Sequence, residues 1–164
     1  MSGPLIRPEG PQDIPGIDTA VAAAFGQRDE ADLVLALRAD PAWLPSLSLV
    51  AVVDGRVIGH IAFTRCQVGG HPALALAPLG VTPEHQREGV GGELVISGLL
   101  SARGAGERLV IVLGDPEYYG RFGFEAARQR DVTGPFGDIE EFQALRLRRP
   151  APTGPVVYAP PFGA

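Results

Sequence analysis

The sequence predicts an α/β (α+β) fold in which about seven strands form one central, mixed, twisted sheet flanked by about four helices. Three observations carry that reading. Residues 47–53 and 56–63 are β-rich runs around the turn dipeptide Asp54-Gly55, which specifies an antiparallel hairpin. An apolar run at 74–81, a glycine-rich turn at 86–92 and a segment with Leu94, Val95, Leu99 and Ala102 at helical spacing lead into a second apolar run, Leu109–Leu113. A strand–helix–strand crossover joins parallel neighbours, so the sheet combines both senses of pairing.

Taken in order, Leu5-Ile6-Arg7-Pro8 reads as a short first strand, placed at an edge because its proline has no N–H to give a ladder. Residues 12–25 follow as a helix, with Asp13 as N-cap and Ile14, Ile17, Val21 and Phe25 on the apolar side. Asp29–Arg38 continues with Leu33, Val34 and Leu37 on one face, and Pro41 and Pro45 then break the chain. Gly69-Gly70 turns the hairpin into the strand at 74–81. The helix over 89–103 ends at Gly104 or Gly106. Pro116 opens a short helical turn through Phe122, and residues 143–148 and 155–158 supply the late strands. The loop over 131–138, broken by Thr133, Gly134 and Pro135, is expected to be mobile. No repeat, charge block or linker divides the chain, so one domain over 1–164 is expected.

The bulk numbers exclude several classes. A 164-residue chain buries about 70% of its extended surface, and 45% apolar residues supply a core without staples. A formal charge of −5 argues against a general nucleic-acid binder. The single cysteine, Cys66, sits in an apolar run and reads as an inert buried thiol. No apolar run reaches membrane-span length and no signal-peptide core opens the chain, so a cytoplasmic bacterial-type protein without membrane partners is expected. His60, His71 and His85 lack ligand spacing, and no metal is expected.

The chemistry concentrates in Gln86-Arg87-Glu88-Gly89-Val90-Gly91-Gly92. The first turn of a helix has unpaired N–H groups and roughly +0.5 of a charge, and glycines let an anion reach them. A Walker loop needs Gly-Lys-Ser/Thr, but Gly92 is followed by Glu93 and Leu94. A dinucleotide fingerprint needs a third glycine, which is missing here.

Gln86-Arg87-Glu88-Gly89-Val90-Gly91 instead resembles the pyrophosphate loop of the GCN5-related N-acetyltransferase (GNAT) family, whose pattern is Gln/Arg-x-x-Gly-x-Gly/Ala. Tyr119-Gly120-Arg121-Phe122-Gly123-Phe124 is similar to the family's Tyr-x-x-x-Gly-Phe element, one strand further on. Ala77-Pro78-Leu79-Gly80-Val81, the run from Leu113 to Phe124, Glu141-Phe142-Gln143 and Val157-Tyr158 resemble a bacterial subgroup of uncharacterised predicted N-acetyltransferases, so the likeness covers nearly the whole chain.

The resemblance implies the GNAT fold, with acetyl-CoA as cosubstrate in a cleft where two parallel strands splay apart. Its pantetheine arm would pair with backbone near Leu79 and Val81. The pyrophosphate would rest on N–H groups of Arg87, Glu88, Gly89, Val90, Gly91 and Gly92, with the Gln86 and Arg87 side chains fixing it. Asp115 and Phe122 lie on the cofactor side, although Asp115 followed by Pro116 is also a natural helix cap. Tyr119 matches the family's general-acid position, facing the leaving sulfur; the alternative is an aromatic packed under the cofactor, with Tyr118 as its neighbour and rival. A phenol near ~10 protonating a thiolate near ~8.5 is uphill by roughly 2 kcal/mol, so hydrogen bonding without full transfer also serves. Glu84, His85 and His60 are candidate proton acceptors for the attacking amine; the alternatives are solvated loop residues for Glu84 and His85 and a satisfied strand histidine for His60. The loops over 25–29 and 40–47 would wall the acceptor pocket, where Trp43 is the one large aromatic. The family reading implies transfer to a primary amine of a small molecule or peptide, and homodimers are frequent in it; the alternative is a non-catalytic acyl-CoA-binding sensor of the same fold.

Overall fold

The hairpin around Asp54-Gly55 is the centre of the molecule. In the computed structural model, which describes residues 3–163, β2 (Ser48–Val53) and β3 (Arg56–Val68) pair antiparallel, with Asp54 and Gly55 both at positive φ in the turn. β3 is thirteen residues long and the Gly69-Gly70 turn returns it as β4 (His71–Val81). Short β1 (Leu5–Pro8) closes one edge against β2. Beyond β4 come β5 (Leu109–Leu113), parallel to it, and β8 (Phe142–Arg146), antiparallel to β5. The path across the sheet is β1-β2-β3-β4-β5-β8 and then β6 (Glu125–Ala126), so it is mixed, as the crossover requires.

All seven expected strands form. Two more, β6 (Glu125–Ala126) and β7 (Val132–Thr133), are two-residue bridges, and β9 (Gly154–Val157) pairs with the far end of β3 and with β7. Two residues carry no periodicity, so neither bridge is legible in the sequence. β7 lies inside the 131–138 loop, and the Gly154 N–H anchors that loop's start through the Asp131 carbonyl at 2.7 Å.

Alternation along the strands explains the two layers. Leu49, Ala51, Ile61, Phe63, Leu74 and Val110 pack with Leu94, Val95 and Ala102 of α3 (Val90–Gly104). Val50 points the other way, against Ile17 and Val21 of α1 (Ile14–Phe25) and Val34 of α2 (Asp29–Arg38). Leu109 and Ile111 of β5 face a second cluster with Cys66, Phe142 and Val156, and so β5 is apolar on both sides. α3 lies hard against β3: a Cβ on Gly98 would stand 2.2 Å from the Phe63 ring. Cys66 is buried, and burial pushes its thiol up to about 12, which leaves it unreactive.

Asp13 does not cap α1. Its carboxylate accepts the Gly10 N–H at 2.7 Å and two bonds from Arg7, at 2.6 and 3.0 Å. Those Arg7 bonds hold its pKa below the ordinary carboxylate range. The acid therefore ties β1 to the start of α1, a tertiary role that outcompetes the local cap.

His60 is fully buried on β3, stacked at 6.5 Å on Trp43, which carries the Arg38 guanidinium on its ring at 4.7 Å. Glu9 accepts both from Arg38 and from the Ser48 hydroxyl. With that hydroxyl proton given to Glu9, the 2.8 Å contact between Ser48 Oγ and His60 Nε2 makes the imidazole N–H the donor. His60 Nδ1 is then a bare, buried acceptor. Burial, and then the Arg38 charge, lower the His60 pKa from 6.5 to about 3.

The folded state therefore keeps His60 neutral while the unfolded chain takes up a proton near pH 6.5. Its contribution is complete above that pH and is lost as pH falls toward about 3. Urea unfolding of the parent between pH 6 and 4 should show stability falling by up to about 1.4 kcal/mol per pH unit more than in His60→Gln, whose amide can still donate to Ser48. Parallel pH slopes in the two proteins would contradict a neutral buried histidine.

Candidate active site

β4 is held on one edge and released on the other. It pairs with β3 along its length, except where Ala77 and Pro78 together oppose the single residue Ala62. That bulge bends the strand, and Pro78 has no N–H to contribute to any ladder. With β5, β4 pairs only at Leu74–Val110 and Ala75–Ile111. Beyond Ala75 the two parallel strands diverge, and the β5-facing edge of Leu79–Val81 has no strand beside it.

The open edge leads directly into the glycine-rich turn. Gln86 Nε2 donates to the Val81 carbonyl at 2.9 Å, pinning the turn to the end of β4. Arg87 (φ 65°) and Gly89 (φ 86°) both adopt left-handed backbone. The first helical bond of α3 runs from the Glu93 N–H to the Gly89 carbonyl at 3.1 Å. Consequently the N–H groups of Val90, Gly91 and Gly92 lie in the first turn without intrahelical acceptors, at the positive end of a fifteen-residue helix. Unpaired N–H groups at a helix N-terminus are suited to an anion.

α4 (Pro116–Gly120) forms the opposite wall. Asp115 caps it, accepting the Glu117 N–H at 3.0 Å. A Cβ on Gly91 would stand 2.9 Å from the Tyr118 hydroxyl, so the glycine gives that phenol its place against the turn. Arg121 stacks on the rings of Tyr118 and Phe122, at 4.6 and 5.4 Å. Tyr119 turns inward: its ring meets Phe124 edge-on at 5.6 Å and leaves no space for a side chain at Gly114. Gly114 is itself fixed, because the buried Gln143 amide donates to its carbonyl at 3.0 Å and its N–H reaches the Glu141 carbonyl at 3.0 Å. Burial pushes the Tyr119 phenol up to about 12, with Tyr118 adding to the shift. Burial also raises Tyr118, against the opposing effect of Arg121.

The resulting cleft has a volume of about 640 Å³, in the range of sites for cofactor-sized molecules. Of the residues singled out in the sequence, Leu79, Val81, Gln86, Arg87, Gly89, Val90, Gly91, Gly92 and Phe122 line it together. Glu88 is exposed outside the lining, Asp115 serves as the α4 cap, and Tyr119 sits behind Tyr118 in the apolar cluster. His85 lines the cleft, with its Nδ1 3.1 Å from Thr82 Oγ1, whereas Glu84 is exposed outside it and His60 is in the core. Sequence reasoning missed Tyr118, Arg121, Glu93 and Ile96 as cleft residues. Arg121 stands three residues after Tyr118, one turn on, and that spacing was the available signal. No group of three or more potential metal ligands occurs among the described residues, and no helix there is long and apolar enough to cross a membrane.

A family model described as the acetyltransferase (GNAT) domain matches residues 6–127. The uncharacterized N-acetyltransferase YhbS of Escherichia coli K12 is 40% identical over 154 residues, covering 92% of this chain and 91% of that protein. The uncharacterized N-acetyltransferase YjhQ of the same strain is 44% identical over 126 residues, covering 74% of this chain and 70% of its own length. Among solved structures, YhbS from Escherichia coli in complex with CoA superposes with a TM-score of 0.91 at 38% identity, covering 99% of this chain and 93% of that one. A GNAT family acetyltransferase from Brucella melitensis in complex with acetyl-CoA gives 0.83 at 40% identity, with 98% of each chain covered. Fold and site thus define an acyltransferase. Within that class, the chain belongs to the GNAT family of N-acetyltransferases.

The left-handed turn supplies a direct test. Gly89→Ala places an L side chain at φ 86°, which should cost about 1–2 kcal/mol in chemical unfolding, and CoA binding should weaken measurably in the same protein. A variant with unchanged stability and CoA affinity would mean that the turn does not require this backbone.

Proposed function

We propose that the cleft binds acetyl-CoA and transfers its acetyl group to a primary amine of a small molecule or peptide, by direct attack in a ternary complex. The observation that carries this reading is the two-residue β4–β5 ladder opening beside the bare N-terminus of α3. The CoA and acetyl-CoA complexes of the two similar structures support it. The pantetheine amides pair with the free edge of β4 near Leu79 and Val81, in the manner of an added strand. The pyrophosphate lies on the N–H groups of the turn, and Arg87 and Arg121 at its margins neutralise charge.

In the chemical step the neutral amine attacks the thioester carbonyl. A C–N bond forms, the C–S bond breaks, and the electron pair leaves on the CoA sulfur. The attacking nitrogen loses its proton to solvent or to a basic group at the cleft, where His85 is the imidazole present. Tyr119, packed behind Tyr118 next to the lining, is assigned to the leaving sulfur as hydrogen-bond donor on the family's Tyr-x-x-x-Gly-Phe pattern. A phenol at about 12 giving its proton outright to a thiolate near ~8.5 is uphill by about 5 kcal/mol, so stabilisation by a retained O–H is the favoured role. The same shift keeps the phenol protonated throughout the neutral and mildly alkaline range.

Steady-state kinetics with a panel of amines test the reading. Tyr119→Phe should lower kcat by about a hundredfold with little change in KM for acetyl-CoA, the signature of an interaction made mainly in the transition state. Tyr118→Phe should act chiefly on KM, because its hydroxyl meets the turn. Bound CoA at a hundredfold excess over its Kd should raise stability by about 2.7 kcal/mol. Thermal protection by CoA without turnover of any amine would favour an acyl-CoA-binding sensor, and a fully active Tyr119→Phe would remove the tyrosine from the chemistry.

A further inference from the structure

All fourteen cationic residues of the chain are arginine, set against nineteen carboxylates. Six of them, Arg7, Arg28, Arg38, Arg65, Arg128 and Arg130, have a carboxylate within 4 Å. Among the described residues the other eight do not, and their distribution is uneven. Arg87 and Arg121 border the active-site cleft. Arg103, Arg146, Arg148 and Arg149, with Leu147, line a separate cavity of about 410 Å³. A fifth, Arg108, is fastened beside them to the Arg149 and Pro150 carbonyls, at 3.0 and 3.1 Å.

Such a concentration of one sign is unfavourable by itself. Arg148 spends one N–H on the Arg103 carbonyl at 3.4 Å, which fits a cation at a helix C-terminus. Arg103 lies in that last turn of α3 itself, and no comparable contact accounts for Arg146 and Arg149 among the described residues. Partial burial and the neighbouring Arg149 and Arg130 charges depress the Arg146 pKa, with Glu125 opposing them. Glu125 is itself shared with Arg130 at 3.4 Å. The adjoining cavity, of about 550 Å³, shows the contrast: there Arg65 is already matched by Glu107 through two bonds of 2.8 Å.

We propose that the arginine-lined cavity between the C-terminus of α3 and the segment after β8 is a second anion site, taking a compact oligophosphate. Guanidinium forks match phosphate oxygens in pairs, and several forks around one cavity suit a chain of two or three phosphates. The cavity has the size of a small-ligand site. Outside the five arginines, nine cations face all nineteen carboxylates, so a long polyanion running beyond the patch meets repulsion. The site is also distinct from the turn at Gln86–Gly92, because the fifteen residues of α3 separate them by about 22 Å.

Calorimetric titration of tripolyphosphate into protein saturated with CoA tests the assignment; CoA keeps the α3 N-terminus occupied. The expected result is a single saturable site with Kd on the order of 10 µM. Arg146→Gln combined with Arg149→Gln should weaken it at least about tenfold, and exposed Arg56→Gln should leave it unchanged. Arg103→Gln serves as a second probe should the double variant fail to fold, and because these substitutions lie in the patch they locate the site whether or not CoA occupies the cleft. A nucleoside triphosphate binding as tightly as tripolyphosphate supports recognition of the phosphates alone, and tighter binding supports a nucleotide as the source. No saturable heat up to about 1 mM, or equal affinity in the arginine variants, would overturn the proposal. So would a duplex RNA of about 20 base pairs binding more tightly than tripolyphosphate, since an extended polyanion is then the ligand.

Discussion

The molecule depends on β4 having one bonded edge and one free edge. A parallel ladder that continued past Ala75 would pair the backbone of Leu79–Val81 with β5 and leave nothing for a ligand to join. The bulge at Ala77-Pro78 prevents that continuation while the β3 ladder keeps β4 in place on its other side. The free edge would be a liability if it moved. It is kept rigid by the long hairpin with β3, by α3 pressed onto Phe63, and by the Gln86 side chain clasping the Val81 carbonyl. The first turn of α3 therefore has a fixed position relative to the open strand.

The other face of the sheet holds a polar cluster that does not open to the cleft. Arg38, Glu9, Ser48 and His60 connect α2, the end of β1, β2 and β3 through consecutive hydrogen bonds, under the Trp43 ring. A buried carboxylate needs this matching, since removing one partner leaves an uncompensated charge in a poorly solvated place. The direction of donation also dictates the imidazole tautomer, and with it the bare Nδ1. Hence His60, although it pairs with Gly80 on the neighbouring strand, is a structural strand histidine buried on the sheet face turned toward Trp43 and Arg38.

The fold was largely legible because its elements are long and strongly patterned: the Asp54-Gly55 hairpin, the crossover through α3 and the apolar Leu109–Leu113 run each required one outcome. The glycine-rich turn before α3 was legible as a turn for the same reason, since Gly89 takes left-handed backbone and Gly91 lies against Tyr118. What stayed hidden depends on contacts between distant segments. Asp13 looked like a helix cap and instead binds Arg7; the β4 bulge becomes meaningful only when Ala62 is seen opposite it; Gln143 matters because it reaches a carbonyl twenty-nine residues earlier. Tyr118 and Tyr119 are adjacent in sequence, yet α4 sends one to the turn and the other toward Gly114 and Phe124. The Tyr-x-x-x-Gly-Phe motif picks out Tyr119 alone, and only packing shows Tyr118 at the turn.

An entirely guanidinium complement of cations has a chemical corollary for a member of an acetyl-transferring family. A lysine ε-amine becomes a nucleophile once it loses a proton, whereas an arginine does not deprotonate in the accessible pH range. No side chain of this protein can therefore compete as an amine acceptor for a thioester held in its own cleft. Its surface keeps the positive charge needed to bind anions without presenting a lysine ε-amine.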